Sequence, residues 1–244
     1  MNQANEGPRS VPRVLVLTGA GISAESGIPT FRGADGLWEG HRAEDVATPQ
    51  AFERDPELVQ RFYNMRRSKL LSTEIQPNAA HEALAKFEAS WPGDFFLVTQ
   101  NIDDLHFRAG SKNVLSMHGE LLKARCTRTG ELFDWREDLG LETPHPNNPT
   151  WLGCLRPHVV WFGEMPLGME QIEAAASRAD IFVAIGTSAL VYPAAAIVEW
   201  TRPACRTIEI NLDDTPKSQN FDEAIRGKAS EEVPRLLEEL SNAT

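Results

Sequence analysis

Residues 14–32 read VLVLTGAGISAESGIPTFR, and this stretch decides the fold. Four apolar residues, Val14 to Leu17, run into Thr18-Gly19-Ala20-Gly21. Ser23, Ala24, Glu25 and Ser26 then suit a helix start, and Gly27 and Pro29 stop it. That order predicts a buried strand, a tight turn and a short helix. Gly19 and Gly21 let backbone approach an anion closely, and helix-start amides point at it with the positive end of the helix dipole behind them. Gly19-Ala20-Gly21-Ile22-Ser23-Ala24 fits the dinucleotide fingerprint G-x-G-x-x-G/A, strand before and helix after. A glycine turn that only seats a helix on a sheet is the competing reading. No strand ending in Asp or Glu follows about twenty residues on, where a dehydrogenase of this type holds the adenosine ribose. Gly27-Ile28-Pro29-Thr30-Phe31-Arg32 and a polar, glycine-bearing loop stand there instead.

Outward from this stretch, composition narrows the classes. At 244 residues the chain has room for one large domain with an insertion, or two small ones. Apolar content of 41% is that of a soluble globular protein. A net charge of −11 argues against nucleic acid or an anionic membrane as main partner and favours basic protein segments. No apolar run approaches the roughly twenty residues of a membrane span. Residues 1–13, MNQANEGPRSVPR, carry no apolar signal core and are expected to form a short disordered tail. Cys126, Cys154 and Cys205 make no disulfide framework, which suits a reducing cytoplasm.

Along the chain, Gly33 to Thr48 reads as a long mobile loop. A helix is predicted from Asp55 to about Leu71, with Pro56 in its first turn, and another after Asn78 as cap. Phe95 to Val98 is a buried strand ending in Thr99-Gln100-Asn101-Ile102-Asp103-Asp104, and Val114 to Met117 is a short strand ending at His118-Gly119. From Glu120 to Pro157, Pro144, Pro146, Pro149 and Pro157 suggest a small irregular module. Helix Met169–Arg178, strand Ile181–Ile185 ending in Gly186-Thr187-Ser188, a helix from Pro193, strand Thr207–Ile210 ending at Asn211, and a C-terminal amphipathic helix complete the order. Alternating strands and helices imply a parallel sheet covered on both faces, with four polar strand ends gathered on one edge.

GAGIS at 19–23, GIPTFR at 27–32, TQNID at 99–103, HG at 118–119, VVWFGE at 159–164 and GTS at 186–188 resemble, in order and spacing, the sirtuins. These are NAD-dependent protein-lysine deacylases; the likeness covers nearly the whole chain and is nearest to bacterial members of the desuccinylating class. The resemblance implies an α/β fold, with a Rossmann-like NAD-binding domain at 1–36, 75–118 and 158–244. A small domain of two insertions, 37–74 and 119–157, goes with it. It implies NAD as co-substrate, held by Gly19, Ala20, Gly21, Ile22, Ser23, Glu25, Thr30, Phe31, Arg32, Trp38, Gln100, Asn101, Ile102, Asp103, Gly186, Thr187, Ser188, Asn211, Leu212 and Ala229. His118 becomes the general base on a ribose hydroxyl, and its imidazole titrates near working pH. Asn101 and Asp103 position ribose and nicotinamide, and Phe31 and Arg32 cover the reactive ribose. Asp103 also suits a helix cap. Thr30 stands where many members carry Asp. His41, His81, His106, His145 and His158 lack such a motif and read as surface or cap residues.

Tyr63 and Arg66, at i and i+3 on the helix from Asp55, share a face. Without the family, such a pair is more often a solvated face. With it, the Y-x-x-R pair matches members that remove succinyl and malonyl groups, whose distal carboxylate needs charge and hydrogen bonds in an apolar tunnel. The substrate main chain is expected to pair as a strand between Phe162-Gly163-Glu164 and Val191-Tyr192, beside Val160. Most of the family holds zinc with two C-x-x-C pairs, and a closed site needs four ligands. Here only Cys126 and Cys154 lie in the module and Thr129 replaces a cysteine, so a module held by packing is favoured over retained zinc. Partners are acylated lysine segments, with a monomer expected. A mono-ADP-ribosyltransferase shares the cleft chemistry, and a non-catalytic NAD-sensing or acyl-lysine-binding module shares the pocket.

Overall fold

A computed structural model of the chain describes residues 11–30, 37–38 and 40–243, with side chains for all of these except 37–38. Its main sheet has six parallel strands in the spatial order Glu223–Arg226, Arg206–Asn211, Ile181–Ile185, Val14–Thr18, Phe95–Thr99, Val114–Ser116. Parallel neighbours need crossover connections, which cover both faces, so central strands read as unbroken apolar runs. Val14–Thr18 and Ile181–Ile185 are buried at every residue.

Alternation then sends neighbouring side chains to opposite faces. Val14 and Val16 pack with Leu97 and Val183 against Leu84 and Phe87 of helix Ala79–Ser90 and Val233, Leu236 and Leu240 of helix Ala229–Asn242. Leu15 and Leu17 pack with Phe182 on the other face, against Ile172 and Ala176 of helix Met169–Ala176 and Ile197. Each such side chain contributes roughly 1.5–3 kcal/mol when fully buried. Chain order reverses beside Val14–Thr18, which pairs with Phe95–Thr99 on one side and Ile181–Ile185 on the other. Open α/β sheets bind ligands outside the strand C-termini at such a point.

Residues 119–159 do not join this sheet. Leu155–Val159, Gly119–Cys126 and Leu132–Asp134 form a three-stranded antiparallel sheet, with Pro144–His145 and Asn148–Leu152 as a separate ladder. The expected irregular module is therefore largely strand. Helix Pro56–Leu70 is capped by Asp55, whose carboxylate accepts from the Leu58 amide at 2.9 Å. It buries Val59, Phe62, Tyr63 and Leu70 against Leu121, Val159 and Trp161.

Other segments also depart from expectation. The Gly33 to Thr48 loop contains a Leu37–Trp38/His41–Arg42 ladder and helix Ala43–Val46, while residues 31–36 and 39 lie outside the described residues. The helices after the glycine turn and after Pro193 are 3-10 helices, Ala20–Ser26 and Ala194–Trp200. Helix Leu105–Ala109 was anticipated only through the cap reading of Asp103, and edge strand Glu223–Arg226 not at all, since neither carries a sustained apolar period. No helix among the described residues is long and apolar enough to cross a membrane.

Asn78 joins two elements. Its Oδ1 accepts from the Ala80 amide at 3.0 Å, and its Nδ2 donates to Ile22 O at 2.8 Å and Ser26 Oγ at 2.9 Å. Asn78→Ala removes a cap and two cross-links, so it is expected to cost about 2 kcal/mol in urea unfolding. A loss below roughly 0.5 kcal/mol, typical of neutral surface changes, would contradict that account.

Candidate active site

The strand C-termini open into a cleft of about 310 Å³. Its lining includes Gly19, Ala20, Gly21, Thr30, Gln100, Asn101, Ile102, Asp103, His118, Gly186, Thr187, Ser188 and Asn211 together with Tyr63, Arg66, Val160, Phe162, Gly163, Glu164, Val191 and Tyr192. The sheet and the helix Pro56–Leu70 thus bring most of the predicted residues together.

The glycines serve a different close approach from the one expected. The Gly19 amide donates to Ile185 O at 2.9 Å and the Gly21 amide to Gly186 O at 2.8 Å, so neither points at a ligand. A β-carbon on Gly19 would meet Gly186 O at 2.8 Å, and one on Gly21 would meet Gly186 Cα at 2.6 Å. Gly186 itself has φ +61°, in the left-handed region. Glycine is required here because two loops touch through their backbones. The two glycines thus serve a packing contact between strand-end loops, which differs from the competing reading of a helix seated on a sheet.

His118 hangs over this floor with its Nδ1 3.0 Å from Gln100 O. A carbonyl only accepts, so Nδ1 carries the hydrogen and Nε2 keeps its lone pair. Burial pulls the imidazole below its ordinary pKa, partly offset by the bond to Gln100. The outcome is a neutral ring with a basic nitrogen. Gln100 Nε2 donates to Thr187 Oγ1 at 3.0 Å, and Asn211 Nδ2 to Thr187 O at 2.7 Å.

Behind the wall lies a continuous polar network. Asn101 Nδ2 donates to Gly19 O at 3.2 Å and to Ser23 Oγ at 3.1 Å, and Ser23 donates to Asp103 Oδ2 at 3.0 Å. Asp103 Oδ1 accepts the Leu105 amide at 3.1 Å, but from one residue before the N-cap, a position that Asp104 holds in place of the expected Asp103. Burial raises the Asp103 pKa to about 6, against the lowering effect of these bonds. His81 Nδ1 accepts the Asn78 amide at 3.3 Å, which leaves Nε2–H to face Ser23 Oγ at 3.4 Å. His81 is thus the cap residue expected, though fully buried. His106 is neither surface nor cap: it is buried, with Nε2 3.0 Å from Thr18 Oγ1. His145 and His158 are likewise buried rather than surface residues. A lone histidine in sequence carries no sign of depth, so these positions were not legible.

At the acyl end, Tyr63 is fully buried and its Oη accepts from Trp161 Nε1 at 3.0 Å. Arg66 Nη1 donates to Phe62 O at 2.9 Å, and its guanidinium lies 3.2 Å from the Phe62 ring centre. The Phe162 amide donates to Ala47 O at 2.9 Å and the Glu164 amide to Trp161 O at 2.9 Å. An added substrate strand would therefore use other groups of this segment, such as those of Gly163. The sequence reading gave no role to Arg156, which carries no motif, or to Trp161, which lies inside the quoted 159–164 stretch.

Some predicted residues stand elsewhere. Phe31 and Arg32 lie outside the described residues, as does the side chain of Trp38. Ile22 and Ser23 are buried behind the cleft wall. Glu25 caps helix Ala229–Asn242, accepting from Ser230 N at 3.0 Å and Ser230 Oγ at 2.8 Å, a favourable place for an anion. Ala229 is the buried first residue of that helix, in the core, and Leu212 is exposed and does not line the cleft. Cys126 and Cys154 are buried among Ala124, Leu139 and Leu155, with Phe133, Trp135 and Trp151 packed around them. Burial alone would raise the Cys126 pKa, but hydrogen bonds from Thr129, the Arg128 amide and Cys154 lower it; even so, two thiols fall short of the four ligands of a closed zinc site. No group of three or more His, Cys, Asp or Glu among the described residues could hold a metal ion.

A doubly wound parallel sheet with a buried histidine, a glycine-built floor and converging amides at its switch point is the arrangement in which open α/β enzymes bind nucleotides. Within that class, the profile of the Sir2 family matches residues 19–193, and the chain belongs to that family. It is 65% identical over 235 residues to an NAD-dependent protein deacylase of Rhodopirellula baltica, covering 93% of this chain and 98% of the relative. It is 58% identical over 237 residues to the NAD-dependent protein deacylase of Escherichia coli K12, covering 94% and 82%. Among solved structures, a Sir2 homologue–NAD complex superposes with TM-score 0.84 at 42% identity, covering 95% of this chain and 90% of the other. A Sir2–p53 peptide–NAD complex gives 0.78 at 31%, covering 95% and 94%.

Two outcomes are expected. Because burial lowers the His118 pKa, its ring stays neutral, and able to accept a proton, to lower pH. The acid limb of kcat/KM then falls below the ordinary imidazole value of about 6.5; a pH–rate profile with its limb at or above that value would refute this. Protein washed with chelator is expected to carry no stoichiometric zinc by elemental analysis, and one equivalent would overturn the packed-module account.

Proposed function

We infer that this NAD-dependent protein deacylase of the Sir2 family acts on acylated lysine side chains. In this reading it removes succinyl and malonyl groups as well as acetyl, with nicotinamide and O-acyl-ADP-ribose as products. The observation that carries the reading is that Tyr63 and Arg66 line the same cleft as His118. A carboxylate entering this apolar pocket loses its water, and the loss is offset by a guanidinium and a phenol.

Bound NAD supplies a carbon–nitrogen bond with nicotinamide as leaving group. Ala20, Gly186, Thr187, Ser188 and Asn211 suit its phosphates and adenosine side, and Gln100, Asn101 and Asp103 its nicotinamide end. His118 Nε2 takes the proton of a ribose hydroxyl. Phe31 and Arg32 complete this assignment as a cover over the reactive ribose. The substrate lysine enters between Phe162-Gly163-Glu164 and Val191-Tyr192. The division into a dinucleotide domain and a small domain of 37–74 and 119–157 is part of the same reading. It is supported by separate apolar clusters on the parallel sheet and around helix Pro56–Leu70. A cytoplasmic monomer acting on basic protein segments agrees with the −11 net charge.

Arg66→Met removes a charge-assisted hydrogen bond worth about 1.5–3 kcal/mol. The kcat/KM for a succinyl peptide is therefore expected to fall roughly ten- to hundredfold relative to the acetyl peptide. Mass spectrometry for nicotinamide and O-acyl-ADP-ribose reads both reactions. An unchanged ratio would sink the dicarboxylate reading, and label from NAD left on protein would redirect it to ADP-ribosyl transfer.

A further inference from the structure

The side chain that meets Tyr63 is itself held from behind. Trp161 is buried, and its Nε1–H donates to Tyr63 Oη at 3.0 Å. The Arg156 guanidinium lies over the indole, 3.2 Å from a ring centre. Arg156 is also buried and grips Glu164 with two bonds, Nη1 to Oε1 at 2.7 Å and Nη2 to Oε2 at 2.9 Å, while Nη2 also donates to Val159 O at 2.7 Å. Glu164 Oε2 accepts the Trp161 amide at 2.8 Å, and Arg125 Nη2 reaches Oε1 at 3.4 Å. Burial alone would raise the Glu164 pKa, but these bonds hold it below the usual carboxylate range.

The carboxylate therefore fixes the Trp161 backbone while the guanidinium fixes its ring plane. With both set, the indole N–H has one direction, and it aims at the phenol oxygen. A hydroxyl that accepts from the indole turns its own hydrogen away from Trp161. A flat guanidinium suits this task because it stacks and forms a two-pronged bond at once, which an ammonium does not.

We propose that the Arg156–Glu164 clamp is a positioning device that sets acyl selectivity through Trp161 by orienting the Tyr63 hydroxyl. This rests on the dicarboxylate reading of Tyr63 and Arg66. Arg156 touches neither cofactor nor acyl chain in this scheme; it acts through the indole.

The test is a double-mutant cycle with succinyl and acetyl peptides, read as the ratio of their kcat/KM values. Trp161→Phe keeps a ring and removes the N–H, so the succinyl-to-acetyl ratio falls roughly fivefold, as for one neutral hydrogen bond. The loss appears in the KM for the succinyl peptide, the mark of a binding contact. Arg156→Lys moves the ratio in the same direction. In a Tyr63→Phe background, Trp161→Phe has no further effect on the ratio, because the two residues act in series. A general packing role would leave the ratio unchanged or add to the Tyr63→Phe effect, and either result overturns the proposal. If Arg66→Met lowers the ratio while Trp161→Phe does not, the dicarboxylate reading stands and the clamp falls. If Arg66→Met also leaves the ratio unchanged, both fall. Trp161→Phe keeps the test available should Arg156→Lys fail to fold.

Discussion

The cleft depends on a backbone-to-backbone contact between two strand-end loops. Gly21 and Gly186 approach so closely that a β-carbon on Gly21 would lie 2.6 Å from Gly186 Cα, inside any permitted contact. Because of this contact, the ends of Val14–Thr18 and Ile181–Ile185 merge into one floor instead of diverging into separate loops. Amide side chains from the strands on either side then lace it together: Gln100 to Thr187, Asn101 to Gly19, and Asn211 to Thr187. A substitution at either glycine would separate the loops and disturb all three.

Beneath the floor, buried polar side chains are linked to one another by hydrogen bonds, with His106 Nδ1 left without a partner among the described residues. Asn101, Ser23, Asp103 and His81 form one chain; Thr18, Thr99 and His106 form a second, with Thr18 donating to Thr99 at 2.8 Å. Burial lowers the pKa of His81 to about 4 and of His106 to about 3. The unfolded chain takes up these protons as pH falls through about 6.5, while the folded chain does not. The stability held by the two neutral rings at pH 7 is therefore lost in acid. Asp103 works in the opposite sense, because its raised pKa lets the folded state bind a proton first as pH falls through 6. The polar network beside the cleft thus makes the fold's acid stability depend on His81, His106 and Asp103.

The parallel sheet was legible for a physical reason. A strand covered on both faces must be apolar throughout, so VLVL, FFLV and IFVAI identify themselves without any tertiary knowledge. The cap Asn78 and the helix start at Asp55 were legible because capping and first-turn chemistry are local. Glu223–Arg226 was not, since this edge strand is held partly by an Arg206–Glu223 ion pair formed with its neighbour. Nor was the antiparallel sheet of residues 119–159, whose partners meet only after the chain returns.

For the site, sequence alone determined chemical identity and order: a glycine turn, amides at strand ends, a histidine before a glycine, and a Tyr–Arg pair on one helix. Those are properties of residue type and short spacing, which local physics constrains. Only the tertiary structure decided what each residue does there. It gave the glycines to a loop contact, Glu25 to a helix cap, His118 its tautomer, and Tyr63 a tryptophan partner 98 positions away. Such assignments depend on which atoms meet across the folded chain, and hydrogen-bond direction and burial exist only once they have met.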